Sequence, residues 1–465
     1  MKTGVLILDK KTYGKIGKRL LYRCISSSEI GSENEIFLIP YEIPLSFSKK
    51  TCQKYVSFIK EPIKEKENEP IKEKEKNVSI GILHEVFGDT DDISAYFEYQ
   101  LATKNLRHSH KLFNAHIKHC LLSSPCLSPP CLSPHCFTID GQFTTDFDDA
   151  FSVNNEGVTI YISNVAYWIH KLDAWQYLSV HRPNTMYLPD KKRCMLPDDI
   201  SNICSLQKDN IRHVVALQIR IINGHVTFSD FYETTISVSK NYVYESSDLL
   251  ESDEYQKLLA FTLLAFTDKN ATNDSYAVVA YWMEQYNQYA GEKLQQLKKG
   301  FLYHFTKHSS HETNHPIWEP IPTKQRGYYL PTDATICYAH ATSPIRRLPD
   351  IYNQWFLLQK EGDVLLPFTD ELNKYIRYSR KLQMEIALLD CITHISIDTS
   401  FTGVVVQTEE KEQKYTYTIY LQKFKLYSQY KTSVPLIGDT HLFRMFLFQS
   451  EYSLKKKVRI CLLEE

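Results

Sequence analysis

Four aspartates, Asp140, Asp146, Asp148 and Asp149, fall inside the segment 137–153, which holds no lysine or arginine. Carboxylates brought this close repel one another, so each must keep its proton or be answered by cations. Hard oxygen donors at this density suit Mg²⁺ or Mn²⁺. A solvated acidic loop is the alternative. An EF-hand fits less well, because its glycine and closing glutamate are not at the required offsets. Much later comes His340-Ala341-Thr342-Ser343-Pro344-Ile345-Arg346-Arg347. Thr342 or Ser343 before Pro344 reads as a helix start, with Ile345, Arg346 and Arg347 in the first turn. The helix dipole opposes cations there. Two arginines at that place ask for an anion, and phosphate matches the guanidinium fork. A bridge to a local acid such as Asp350 is the competing account.

The elements around the aspartates read as strands: 136–139 before them, 150–153 and 158–163 after. The acidic cluster is therefore expected on a loop held by a sheet, where a rigid site is best built. From 137 to 398 the chain reads as one large mixed α/β region. It is strand-rich to about residue 240 and helical in its apolar spacing near 251–300 and 351–396. Residues 1–120 are expected to form a β-barrel region, with short strands over 1–60 and a helix near 92–120. The charged tandem repeat at 61–76 reads as a disordered insertion. Residues 121–136, rich in proline, serine and cysteine, read as an extended linker. His116, Cys120, Cys126, Cys131 and Cys136 raise the question of zinc. Their spacing differs from the usual knuckles, and duplication of Pro-Cys-Leu-Ser-Pro accounts for the pattern. Residues 399–465 return to strands, as in a five-stranded OB barrel.

The 465 residues are 43% hydrophobic and 23% charged, with a net charge of −1. These are the proportions of a folded globular protein. Near-neutrality means that a polyanionic partner must be held by a local basic channel. No apolar run reaches membrane-spanning length, and the N-terminus lacks the apolar core of a signal peptide. A soluble, intracellular and cytoplasmic protein with no membrane partner is expected. Eleven cysteines without a CxxC point to reduced thiols.

Several blocks in order carry a family resemblance. Thr138-Ile139-Asp140 with Asp146-Phe147-Asp148-Asp149-Ala150, the segment 186–206, His340 to Arg347, and Gln383-Met384-Glu385 together resemble the ribonuclease II (RNB) family. The resemblance covers about 137–398. It implies an α+β fold, an RNB catalytic domain flanked by small OB- or cold-shock-like barrels. It also implies processive 3′→5′ hydrolysis of single-stranded RNA to 5′-nucleoside monophosphates. In that pattern Asp140, Asp146, Asp148 and Asp149 hold Mg²⁺ (or Mn²⁺) and the attacking water, and Arg346 is the catalytic arginine. Glu385, Ser343, Arg347 and His340 are the further RNA-contacting positions. The chain departs from the family at Leu348 and Pro349, at Asn353-Gln354-Trp355, and at Ile386. An inactive RNA-binding member of the same fold and a metal-dependent DNA nuclease are the alternatives. A monomer is expected, and the shortened barrels leave a role for a partner protein that delivers RNA.

Overall fold

Short apolar runs broken by polar turns close into a barrel at the N-terminus of the computed structural model. The structure describes residues 1–9, 11–26, 34–43, 53–60, 79–123, 136–222, 225–265, 274–304, 327–331, 337–360, 362, 364–396, 399–450, 452 and 454–463. The first strands are β1 (Lys2–Leu6), β2 (Lys15–Ile16), β3 (Arg19–Ser26), β4 (Glu35–Tyr41), β5 (Lys54–Lys60) and β6 (Ser79–Asp89). They run in the order β1-β5-β6-β4-β3-β2, and a β1–β3 pairing closes five of them into a ring. Residues two apart point to the same face of a strand. Tyr22 and Cys24, Phe37 and Ile39, and Val56 and Phe58 accordingly fill the interior.

The helix expected near 92–120 is two helices, α1 (Ile93–Thr103) and α2 (Lys111–Ser123). Asp92 caps the first by accepting from the Ser94 amide. Asn105 ends it in a left-handed conformation, and the Leu106 amide donates back to the Leu101 carbonyl. The repeat at 61–76, and Cys126 and Cys131 of the linker, lie outside the described residues. His116 Nε2 is 2.6 Å from the Leu172 carbonyl, and Cys120 Sγ lies 3.6 Å from the same nitrogen. Among the described residues no two cysteines are joined by a disulfide.

The chain divides into two compact units. One gathers residues 1–107, 187–192 and 378–465, and the other gathers 108–186 and 193–377. The second unit is built on β7 (Cys136–Asp140), β8 (Asp149–Asn154) and β9 (Gly157–Ser163), followed by α3 (Val165–Lys171). A short ladder of β10 (Met186–Tyr187) and β11 (Lys192–Arg193) precedes α4 (Asp198–Cys204). Next come β12 (Ile211–Ile222), β13 (His225–Phe228), β14 (Tyr232–Val243), α5 (Ser247–Leu250), α6 (Asp253–Ala265) and α7 (Ser275–Leu297). The sheet order is β13-β12-β14-β7-β8-β9, and a β12–β9 pairing closes a second ring.

Both faces of this ring are buried at β9 and in the middle of β12, which read as nearly continuous apolar runs, whereas β14 keeps exposed polar residues. Cys136, Ala150, Val214 and Ala216 line one face with small side chains. Phe137, Ile139, Phe151, Val215 and Leu217 line the other and meet Trp282, Tyr286, Ala290 and Leu294 of α7. Those four recur every fourth position, the spacing of one helical stripe. The hairpin of β15 (Leu302–His304) and β16 (Gly327–Tyr329) precedes α8 (Leu348–Leu357) and α9 (Thr369–Thr393). In α8 the residues Leu348, Ile351, Tyr352 and Trp355 pack with Trp168 and Ile169 of α3.

In the first unit, β17 (Ser400–Lys411), β18 (Lys414–Leu421), β19 (Leu426–Thr432), β20 (Thr440–Gln449) and β21 (Lys456–Leu462) form an OB-like sheet ordered β19-β18-β17-β20-β21. A register shift between Val405 and Gln407 bends β17. Tyr417 faces Tyr430, and Tyr420 faces Tyr427 across β18 and β19. Among the described residues no helix is long and apolar enough to cross a membrane.

Candidate active site

Two ladders fix the ends of the acidic block. Asp140 is the last residue of β7 and pairs in parallel with Val243 of β14. Asp149 opens β8 opposite Ile162 of β9. Between them, the Thr144 amide donates to the Gly141 carbonyl at 3.0 Å and makes a turn. The far side of the loop is fastened to the end of α4. The Phe147 amide donates to Ser205 Oγ at 3.0 Å, Ser205 Oγ donates to the Thr145 carbonyl at 3.2 Å, and the Leu206 amide donates to the Phe147 carbonyl at 3.0 Å. The block at 186–206 thus ends in the anchor of the aspartate loop.

Asp148 is 3% exposed and meets the arginine segment directly. Its Oδ1 accepts from the Ile345 amide at 3.0 Å, and its Oδ2 lies 3.3 Å from Arg346 Nε. The Arg346 side chain is half exposed, and its Nη2 donates to Ser343 Oγ at 3.0 Å. The expected helix start is displaced. Helix α8 begins at Leu348 with Arg347 as its N-cap. The cause is Asp350, fully buried in the first turn, where the helix dipole favours an acid. Its Oδ1 accepts from the Ser343 amide at 2.8 Å and from Arg347 Nε and Nη2 at 3.1 and 2.8 Å. This holds residues 343–347 in a turn ahead of the helix. The local-bridge account therefore describes Arg347, whereas Arg346 faces the aspartates. From the other side, the Thr185 amide donates to the Arg346 carbonyl and the Leu348 amide to the Pro183 carbonyl.

Two helices position this segment. In α7, Asn287 accepts from the Ala341 amide at 2.8 Å and donates to Thr342 Oγ1 at 3.2 Å. Gly291, one turn on, lets residues 337 and 338 approach so closely that a Cβ would lie 2.6 Å from the Tyr338 nitrogen. In α8, Asn353 is fully buried. It accepts from the Phe301 amide at 2.7 Å and donates to the carbonyls of Phe301 (3.0 Å) and His340 (2.8 Å). Gln354 donates to the Ser163 carbonyl at 2.8 Å. The departure from the family at 353–355 is thus an internal brace. Asn353→Ala strands one buried amide and removes a donor from two carbonyls. It is expected to lower stability by ~3 kcal/mol, read from urea unfolding of the full chain.

The electrostatics leave the cluster short of positive charge. Burial pushes Asp140 and Asp148 up to about 7 and Asp149 up to about 8. The charge of Asp148 adds to the rise at Asp140, and that of Asp140 to the rise at Asp149; Arg346 opposes all three. Asp140 Oδ2 and Asp149 Oδ2 are enclosed and have no hydrogen-bond partner. Enclosed orphan carboxylate oxygens fit a hard cation. Among the described residues, no three His, Cys, Asp or Glu side chains converge closely enough to share an ion. Asp146 sits on the loop, where Thr145 Oγ1 donates to it at 3.2 Å.

Tyr244 is a residue that sequence reasoning missed. Its amide donates to the Asp140 carbonyl at 3.0 Å. Burial raises its phenol, and the charges of Asp149 and Asp140 raise it further. Only the parallel pairing of β14 with β7 brings it here, and no local pattern announces that.

The other four expected RNA-contacting positions, Ser343, Arg347, His340 and Glu385, have partners within the protein. Ser343 is 4% exposed and used by Asp350 and Arg346, and Arg347 is held by Asp350. His340 Nδ1 pairs with Tyr328 Oη at 2.7 Å, and its ring lies 4.3 Å from that of Tyr303. All three brace the segment from within. Glu385 belongs to the first unit, in the half of α9 that begins at Tyr378, with Lys381 at 3.9 Å and its charge felt at Lys104.

Comparison with known proteins finds a match over part of the chain. Residues 132–258 match the RNB domain model. Ribonuclease R of Mycoplasmopsis pulmonis is 33% identical over 113 residues, which is 23% of this chain and 16% of that protein. Exoribonuclease 2 of Vibrio parahaemolyticus is 32% identical over 131 residues, 26% of this chain and 20% of that protein. The aligned part is thus a fifth or less of these curated relatives. Mycoplasma genitalium RNase R in complex with ribose-methylated single-stranded RNA shares the fold, with a TM-score of 0.62 at 13% identity over 99% of this chain and 100% of that one. Yeast Ssd1, a pseudonuclease, superposes with a TM-score of 0.53 at 14% identity over 95% of this chain and 66% of that one. Residues 132–258 thus carry an RNB domain, similar there to ribonuclease R and exoribonuclease 2.

Proposed function

We propose that this protein is a divalent-metal-dependent 3′→5′ exoribonuclease that shortens single-stranded RNA to 5′-nucleoside monophosphates, with its catalytic region at 137–398. The observation that carries the reading is the junction of two distant segments. Arg346 meets buried Asp148 beside the orphan oxygens of Asp140 and Asp149. Asp140 and Asp149 would hold the cation, with Asp146 and Asp148 next to them. A bound Mg²⁺ or Mn²⁺ supplies Lewis acidity at the phosphoryl oxygens and lowers the pKa of water. Arg346, half exposed and aimed by Asp148 and Ser343, would present its guanidinium to the phosphate. There it stabilises the negative charge that develops. Asp350 and Arg347 keep the turn that aims it.

Incubation of the purified chain with 5′-labelled single-stranded RNA and Mg²⁺ tests this. Stepwise shortening from the 3′ end, lost on chelation and absent with DNA of the same sequence, is the expected result. A second reading, an RNA-binding module without activity, is favoured by the lack of a three-ligand cluster among the described residues and by the fold shared with a pseudonuclease. RNA bound but uncut at every metal tested would select it. Equal shortening of DNA would replace RNA as the substrate.

A further inference from the structure

We infer that Phe143 is a stacking platform for a base of the RNA strand whose scissile phosphate lies at Asp140, Asp148 and Asp149, an inference that rests on the nuclease reading above. Phe143 is 89% exposed. Its neighbours in the same segment, Phe137 and Phe151, are core residues, and Phe147 packs against the face of the ring lined by Cys136, Ala150, Val214 and Ala216. Phe143 alone among them is turned out of the fold.

The loop that carries it is fastened on both sides. The Tyr244 amide holds the Asp140 carbonyl, the Thr144 amide closes on Gly141, and Ser205 ties Thr145 and Phe147. The tip that remains is Gln142 and Phe143. An aromatic ring on a braced tip needs little further ordering when a flat partner arrives. The Phe143 Cα is three residues from that of Asp140, so the two Cα atoms lie within about 10 Å of each other. That reach covers a nucleotide next to the reacting phosphate.

The ring type also suits the place. A lysine at this tip would be drawn onto the aspartates and would answer the charge that a cation must answer. An aromatic ring holds a nucleotide through its base and adds no charge. A phenyl ring carries no hydrogen-bonding group, so the contact it makes reads the face of a base and not its edge. It is therefore tolerant of sequence.

The test is a double-mutant cycle between protein and RNA, in the full chain carrying Asp148→Asn so that the RNA is not consumed. A single abasic residue is walked through the last positions of a short single-stranded RNA, and Kd is measured for each. With Phe143 present, one position near the 3′ end costs about tenfold in Kd when its base is removed. In Phe143→Ala the same RNA series is flat at that position. Phe143→Tyr restores the penalty, and Phe143→Leu, apolar without a ring, does not. Equal abasic penalties in the parent and in Phe143→Ala overturn the platform; if the unmodified chain still shortens RNA, the nuclease reading stands. RNA bound through Phe143 by a chain that never shortens it upholds the platform as a binding device and overturns the nuclease. A chain that does not bind RNA overturns both.

Discussion

Asp148→Asn is expected to lower the proposed RNA shortening by about a thousandfold and to leave RNA affinity within about threefold, the size expected when a preorganised charge is lost from a transition state. The substitution acts twice. It removes a carboxylate from the cluster, and it replaces the acceptor of Arg346 Nε with a neutral amide group. The asparagine carbonyl still accepts from the Ile345 amide, so the 343–347 turn survives. The fold does not suffer. A buried carboxylate is costly, and this one is pushed up to about 7 by its burial. The melting temperature of the variant at pH 8 is therefore expected to equal or exceed that of the parent. Single-turnover cleavage, filter binding and a thermal melt together check the three statements. Cleavage within threefold of the parent removes Asp148 from the mechanism. A fall in melting temperature would make its role structural.

The second large effect is on stability without metal. Asp140, Asp148 and Asp149 are raised from the ordinary aspartate value to about 7, 7 and 8. A carboxyl whose folded pKa is raised stays protonated in the folded chain while the unfolded chain has already lost its proton. Stability then falls as pH rises through the folded value. His108, held down to about 4 by burial, works in the opposite direction, but only below about 6.5. The range from pH 6.5 to 8.5 therefore isolates the carboxylates. Metal-free protein is expected to lose about 3 kcal/mol across it. Mg²⁺ or Mn²⁺ at about a hundred times its Kd returns about 2.7 kcal/mol at pH 8.5 and much less at pH 6.5. Calorimetry at the two pH values, with and without the ion, makes the comparison, and Asp140→Asn should flatten it. A melting temperature that ignores both pH and divalent ions in that range would show that the cluster binds no cation.

What could be seen in the sequence follows from the range of the interactions. The aspartate block was legible because its four carboxylates and their flanking strands are local. The barrels were legible because alternation along a strand is local too. The start of α8 was not. Ser343 and Pro344 carry a helix-start pattern, but the Asp350 carboxylate takes the Ser343 amide and Arg347 together and delays the helix to Leu348. The braces were also hidden. Asn287 and Asn353 sit inside helices, where amide side chains usually face water. Only the approach of residues 301 and 339–342 shows that both are buried. Tyr244 reaches the carboxylates through a strand pairing that joins residues about a hundred positions apart. No periodicity within either strand records its neighbour.

The Asp148–Ile345 bond also sets a timetable. Its two residues are 197 positions apart in the chain. At 5–20 residues per second, about 10–40 s of synthesis separates them. During that interval a growing chain exposes its acidic loop without the turn that aims Arg346. The α8 helix that supplies this turn rests on Ser163 and Phe301, so it gains its contacts only after most of the second unit has been made. A chain still on the ribosome, beside its own message, therefore has the acid cluster but not the guanidinium. The proposed site comes into being only as that unit closes.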